Sequence, residues 1–213
     1  MRVAGVDEAG KGPVLGPMVV ASVVVDETTL SSLKKVGVRD SKQLSASRRE
    51  RLAAEIERIA EVHLLVLSPQ DIDHMRGYTT MSWVMVHCFS EVLLRSGADV
   101  AYVDAADVSW ERFERRVVEN ISARGCSTRV VASHRADEHV PVVSAASIVA
   151  KVHRDAAMSE LASTYQRHIG SGYPSDPHTI SFIREWIAEN GTVPPCARTT
   201  WATCARLLNE VLR

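Results

Sequence analysis

The sequence has no apolar run approaching the ~20 residues needed to cross a bilayer, so an integral membrane role is excluded. Its four cysteines, Cys88, Cys126, Cys196 and Cys204, lie in unrelated segments without C-x2-C spacing. That excludes a zinc knuckle or a disulfide frame and reads as reduced thiols. An excess of one charge is missing as well. The 25 Lys and Arg face 26 Asp and Glu, for a net charge of -1, so the strongly basic footprint of a wholesale nucleic-acid binder is absent. A cluster of catalytic carboxylates could still cancel a basic rim. Internal repeats, low-complexity tracts and linkers longer than a turn are lacking, so 213 residues read as one large domain, or a domain with a small appendage. The first residues, Arg2-Val3-Ala4-Gly5-Val6, enter a strand at once. No room is left for a signal peptide, and a cytoplasmic location is expected. What the chain does have is apolar content, 46% of residues, enough to bury a core.

One further absence is more informative. Residues 5–25, GVDEAGKGPVLGPMVVASVVV, carry the Gly-x4-Gly-Lys of a phosphate-binding loop in Gly5, Gly10 and Lys11. The Ser or Thr that would bind magnesium is missing, because Gly12 and Pro13 follow. A phosphate loop must also open a helix, whereas Met18 to Val25 is rich in β-branched residues and reads as a strand. Asp7 and Glu8 would set two anions beside a polyphosphate. These features exclude the nucleotide cradle and leave a glycine-rich loop beside paired carboxylates.

The pattern predicts strands over 1–7 and 17–26 as an antiparallel pair. A helix follows a capping box at Ser47 and Glu50, with Leu52, Ile56, Ile59 and Ala60 at helical spacing. A third strand is expected over Val62–Leu67, a helix near 79–96, a short buried strand over Val100–Val103, a helix over 109–124 and a fifth strand over Thr128–Ala132. Helices are expected near 142–164, near 177–190 after the Asp176-Pro177 cap, and near 199–212. This is a mixed α/β sheet with helices on both faces and a helical C-terminal portion, with a catalytic domain over 1–165 and a C-terminal helical region over 166–213.

Asp7 and Glu8 end the first strand, Asp104 ends the fourth, and Asp137-Glu138 follows the fifth. Ligands of α/β sheets gather at the carboxyl ends of strands. Carboxylates brought together there repel one another unless cations neutralise them, and oxygen ligands without Cys or a His pair select magnesium or manganese. Taken singly, such acids are turn formers or helix caps, and Asp107 before Ser109 reads as one. Their combination with DEAGKG points to a site. Lys34, Lys35, Arg39, Lys42, Arg48, Arg49 and Arg51 form a dense basic stretch that suits either a solvated helix face or a polyanion. In HVPVVSAASIVAKVHRD, 139–155, a helix would align Ser144, Ser147, Lys151 and Arg154-Asp155. Such a stripe could support the acidic cluster, meet phosphate oxygens, or face solvent.

Five segments in order carry a resemblance. They are GVDEAGKGPVLGPMVVA at 5–21, DSKQLS at 40–45, YVDAADV at 102–108, RADEHVPVVSAASIVAKVHRD at 135–155 and GSGYPSDP at 170–177. Together they resemble ribonuclease HII, especially the archaeal type, over residues 3 to about 205. The resemblance implies an α/β ribonuclease H-like fold whose five-stranded mixed sheet is flanked by helices. It implies magnesium or manganese, two ions during catalysis, held by Asp7, Glu8, Asp104 and Asp137. Gly10, Lys11 and Gly12 would approach the minor groove and read a ribose 2′-hydroxyl with backbone groups, where a Cβ would intrude. Tyr173 would pack on the sugar at the RNA–DNA junction, and Lys42, Ser144 and Lys151 would join the substrate-binding set. Lys11 stands where most members have arginine, so the charge is kept and the planar fork lost.

The activity implied is hydrolysis on the 5′ side of ribonucleotides, in RNA/DNA hybrids and in DNA containing single ribonucleotides. Products would carry 3′-hydroxyl and 5′-phosphate ends, and the enzyme would serve ribonucleotide excision repair and primer removal during DNA replication, as a monomer without a membrane partner. Two rivals are a catalytically silent binding subunit and a nuclease of the same fold confined to long hybrids. A pure binder gains nothing from anions set against phosphates, while the glycine-lysine-glycine loop and Tyr173 favour junction cutting.

Overall fold

The computed structural model describes residues 1–37 and 45–213, with the side chains of 34–36 left aside. Two strands open the fold, β1 (Arg2–Ala9) and β2 (Met18–Asp26), paired antiparallel from Arg2 with Asp26 to Ala9 with Val19. All of β2 except its last residue is buried, as a continuous apolar run implies for a strand covered on both faces. A single 3-10 turn (Glu27–Thr29) and α1 (Leu30–Val36) follow, then α2 (Ala46–Ile59), β3 (Glu61–Leu67), α3 (Pro69–Arg76) and α4 (Met81–Ser96). The remainder is β4 (Val100–Asp104), α5 (Trp110–Ser122), β5 (Arg129–Ser133), α6 (Ala136–His139), α7 (Pro141–Tyr165), α8 (Pro177–Asn190) and α9 (Ala202–Val211).

The sheet is mixed, in the order β3-β2-β1-β4-β5, with β4 parallel to both β1 and β5. Side chains alternate across it. Val3 of β1 and Val19, Ala21, Val23 and Val25 of β2 join α2 and α7 in one core, while α4 packs on β1 and α5 on β5. Phe89 of α4 and Phe113 of α5 meet edge to face at 5.1 Å between centroids. At Gly5 a Cβ would collide with the backbone of Val142 and Val143. The missing side chain therefore lets the start of α7 lie directly on β1.

Two compact units share the chain. One is Met1–Ala9, Val19–Leu65 and Thr80–Val152; the other is Gly10–Met18, Val66–Thr79 and His153–Arg213. The sheet core belongs to the first. The second has its own core, in which Phe182, Ile183 and Ile187 of α8 pack with Leu207 of α9, Met158 of α7 and Leu15.

Several local expectations are corrected. α2 is capped by Ser45, whose hydroxyl accepts from Arg48 N–H, and not by a box at Ser47 and Glu50. Asp107 is not the cap of α5, since Ser109 accepts from the Arg112 amide. Asp107 instead binds the Arg112 guanidinium and the Ser82 hydroxyl, which hold its carboxyl far below the usual range. The helices α1 and α3 were not expected. All four cysteines are free, and burial pushes the Cys88 thiol up to about 12 and those of Cys196 and Cys204 to about 11, so these three stay protonated and unreactive. Among the described residues no helix is long and apolar enough to cross a membrane.

Candidate active site

Val3, Gly5 and Asp7 share a face of β1, so Asp7 points toward α7, as the contact of Gly5 with Val142 requires. There the Asp7 carboxyl is 5% exposed. Burial, then the charges of Glu8 and Asp104, hold it well above the ordinary carboxylate range. The Ser147 hydroxyl and the Glu8 amide pull the other way, the amide donating to Asp7 Oδ1 at 2.7 Å. Tyr102 pairs with Gly5, so Asp104, two residues on, comes to the same sheet face at the end of its strand.

Asp137 enters by a different device. Arg135, two residues past the end of β5, takes a left-handed φ of 57°, rare for a non-glycine residue, and this turns the chain into α6. The Ala136 amide donates to Asp104 Oδ1 at 3.1 Å, which sets the buried Asp137 one residue from Asp104's own partner. The Ser144 hydroxyl donates to the Asp137 and Val140 carbonyls. The serine stripe of α7 thus supports the acidic cluster. Lys151 lies half-buried one turn beyond Ser147 on α7.

Among the described residues, no three His, Cys, Asp or Glu are drawn into a finished metal shell. The donor set nonetheless fits a hard divalent cation. Magnesium keeps several waters and takes only one or two carboxylates plus substrate phosphate, so an open half-shell of oxygens is what it requires. Asp7, raised by burial and then by its neighbours' charges, is the group such a cation would relieve.

Gly10, Lys11, Gly12 and Tyr173 belong to the second unit. Gly172 O accepts from the amides of Val14 and Leu15 at 2.8 and 3.2 Å, binding the tyrosine loop to the glycine loop. The tyrosine loop is itself fixed from several sides. Arg154 donates to Ser171 O at 2.5 Å, Asp176 accepts from the Ser171 amide at 2.6 Å, and Thr179 accepts from the Gly172 amide at 2.9 Å. Tyr173 is 42% exposed, with the Arg154 guanidinium 5.6 Å from its ring centroid. It is therefore a presented ring and not a core residue. Arg154 is buried, and its Nε meets no partner.

Lys42 and the DSKQLS segment up to Leu44 lie outside the described residues. Sequence reading missed Arg198 and Trp201, which hold the glycine loop from beneath and have no motif to betray them. It also missed Asp73, which accepts from both amides and both hydroxyls of Thr199 and Thr200.

The mixed sheet carrying carboxylates at neighbouring strand ends defines a ribonuclease H-like, metal-dependent nuclease. Residues 4–204 match the ribonuclease HII family. A ribonuclease HII of Methanothrix thermoacetophila is 47% identical over 208 residues, 97% of either chain. The ribonuclease H2 structure from Pyrococcus horikoshii OT3 superposes with a TM-score of 0.92 at 38% identity, covering 100% of both chains. The ribonuclease HII of Archaeoglobus fulgidus, solved as a complex with PCNA, superposes with a TM-score of 0.87 at 43% identity over 94% of this chain and 95% of that one. The chain belongs to the ribonuclease HII family and is a ribonuclease H endonuclease.

Proposed function

We propose that this chain hydrolyses the phosphodiester on the 5′ side of a ribonucleotide, in RNA/DNA hybrids and where one ribonucleotide is embedded in duplex DNA. The products carry 3′-hydroxyl and 5′-phosphate ends. The observation that carries this reading is the buried Asp7, its carboxyl raised by burial and by the charges of Glu8 and Asp104, a cluster stable in its charged form only beside cations.

Two divalent ions, magnesium or manganese, supply the activation of water and the stabilisation of the leaving 3′-oxygen. In this reading Asp7 and Asp104 hold them, and Glu8 and Asp137 complete the oxygen set. The Ser147 hydroxyl and the Glu8 amide orient the Asp7 carboxylate. Ser144 fixes the backbone at Asp137. Gly10, Lys11 and Gly12 read the ribose, and the exposed Tyr173 ring packs on the neighbouring sugar. Lys151 supplies a cation for the phosphates; Lys42 joins it on its motif alone. The role is removal of misincorporated ribonucleotides and RNA primers by a cytoplasmic monomer.

The test is a 5′-labelled duplex containing a single ribonucleotide, incubated with magnesium and resolved to the nucleotide. We expect one cut immediately 5′ to the ribonucleotide, giving a 3′-hydroxyl that a polymerase extends. A product blocked at its 3′ end, or cleavage confined to long RNA/DNA hybrids, overturns the proposal.

A further inference from the structure

Arg198 is the largest fully buried side chain in the described structure. Burying a charge is costly unless it is paired and hydrogen-bonded; the Asp73 charge acts on this guanidinium, and all four of its side-chain hydrogen bonds go to main-chain carbonyls of the glycine loop. Nη2 donates to Gly10 O at 2.6 Å and Gly16 O at 3.0 Å, Nη1 to Lys11 O at 3.0 Å, and Nε to Gly16 O at 3.1 Å. Burial, then the neighbouring Arg154 charge, bring its pKa down to about 10, so the guanidinium stays charged at neutral pH. The next carbonyl, Gly12 O, accepts from Trp201 Nε1 at 3.1 Å. Two guanidinium groups lie over that indole, Arg76 at 4.6 Å and Arg198 at 5.0 Å from its centroid. Asp73 of α3 locks the intervening Thr199 and Thr200 through both amides and both hydroxyls.

A loop rich in glycine has the largest conformational entropy to lose. Any loop that reads a sugar with its backbone must have its peptide planes fixed before the substrate arrives. Here three consecutive carbonyls, of Gly10, Lys11 and Gly12, are drawn to one side by a planar fork and an indole N–H. A peptide's N–H points opposite its C=O, so the Gly10 and Lys11 carbonyls held by Arg198 fix the N–H groups of Lys11 and Gly12, while the Gly12 carbonyl, whose peptide continues into Pro13 and has no N–H, anchors the exit of the loop.

We propose that Arg198 and Trp201 are positioning residues that set the ribose-against-deoxyribose specificity of this enzyme by orienting the peptide planes of Gly10-Lys11-Gly12. The inference rests on the reading of that loop as the 2′-hydroxyl reader. Neither side chain need touch substrate. Lysine cannot replace Arg198, because a point charge on a flexible stem does not reproduce a fork spanning three carbonyls.

The experiment measures binding, without divalent ions, of a labelled duplex containing one ribonucleotide and of the same duplex in all-deoxy form. Wild type, Trp201→Phe and Arg198→Lys are compared. Trp201→Phe keeps an aromatic ring for the guanidinium groups and removes the N–H. It should lower the ribo-to-deoxy affinity ratio about three- to tenfold, the worth of one hydrogen bond, with all-deoxy affinity and melting temperature little changed. Arg198→Lys should lose the ratio more completely. If Arg198→Lys fails to fold, Trp201→Phe decides alone. Both variants folded with the wild-type ratio intact would overturn the inference. A wild type without preference for the ribonucleotide duplex would instead overturn the reading of the loop on which it rests.

Discussion

At Gly10 the backbone takes φ +88°, and a Cβ would lie 2.7 Å from the Pro17 carbonyl. At Gly12 the φ is not left-handed, and a Cβ would meet only Tyr173 Cε1, at an ordinary 3.6 Å. The fold therefore requires glycine at the first position and tolerates alanine at the second. If Gly12 is bare for the sake of a ligand, Gly12→Ala should melt within about 1 °C of wild type, as surface changes usually do. It should cut ribonucleotide-containing duplex at least about tenfold more slowly. Gly10→Ala should lose stability instead, by about 1 kcal/mol or more for the forced left-handed conformation. Melting curves and cleavage rates for both variants check this, and full activity in a folded Gly12→Ala would assign the glycine to the turn. At this scale the positions of Asp7, Glu8 and Asp104 near strand ends were legible, because they close runs of β-branched and small residues. Arg198 was not, since a side chain whose partners are main-chain carbonyls leaves no complementary residue to recognise.

Among the elements, α8 shows how a cap also builds the tyrosine loop. Asp176 accepts from the His178 amide at 2.9 Å, capping the helix, and from the Ser171 amide at 2.6 Å, closing the loop around Tyr173. The Ser171 amide and hydroxyl, then His178, draw its carboxyl down to about 2. A depressed folded-state pKa gives stability that is present above the unfolded value, about 3.9, and lost as pH falls through the folded one. Asp176→Ala should accordingly lower the melting temperature at pH 7, and the gap from wild type should narrow between about pH 4 and about pH 2. A gap independent of pH over that window would show that the carboxylate charge contributes nothing. The Asp176-Pro177 start was plain in the sequence. The start of α3 is built in the same way: Ser68 and Asp71 form a reciprocal capping box around Pro69. The α2 cap was misplaced because Ser45 and Ser47 both precede the helical periodicity, and only backbone geometry chooses between them.

For the whole molecule, the two compact units interleave along the chain, which passes from the first to the second between Ala9 and Gly10, between Leu65 and Val66, and between Val152 and His153. A reading of the sequence cuts a chain where composition shifts, as at 165/166. It has no means of assigning Gly10–Met18 and Val66–Thr79 to a unit built mainly from the C-terminal helices. The places of the five strands and of the longer helices along the chain were legible, because β-branched runs and helical spacing report burial directly. The interleaving was not, because it depends on pairings such as Leu15 with Ala197 between segments far apart in sequence.

If the carboxylates at the strand ends hold the ions that drive cleavage, Asp104→Asn removes one of their ligands. Asparagine keeps an oxygen to accept the Ala136 amide while removing one anion from a cluster whose charges raise Asp7. Cleavage of a single-ribonucleotide duplex is followed across a magnesium titration, with the melting temperature measured in the absence of metal. Loss of a group outside the ligand shell commonly lowers metal affinity or activity 10- to 100-fold, so loss of a ligand should slow cleavage at least about a hundredfold at saturating magnesium. The metal-free variant should melt at or above the wild-type temperature. Near-normal turnover in a folded Asp104→Asn would contradict the account.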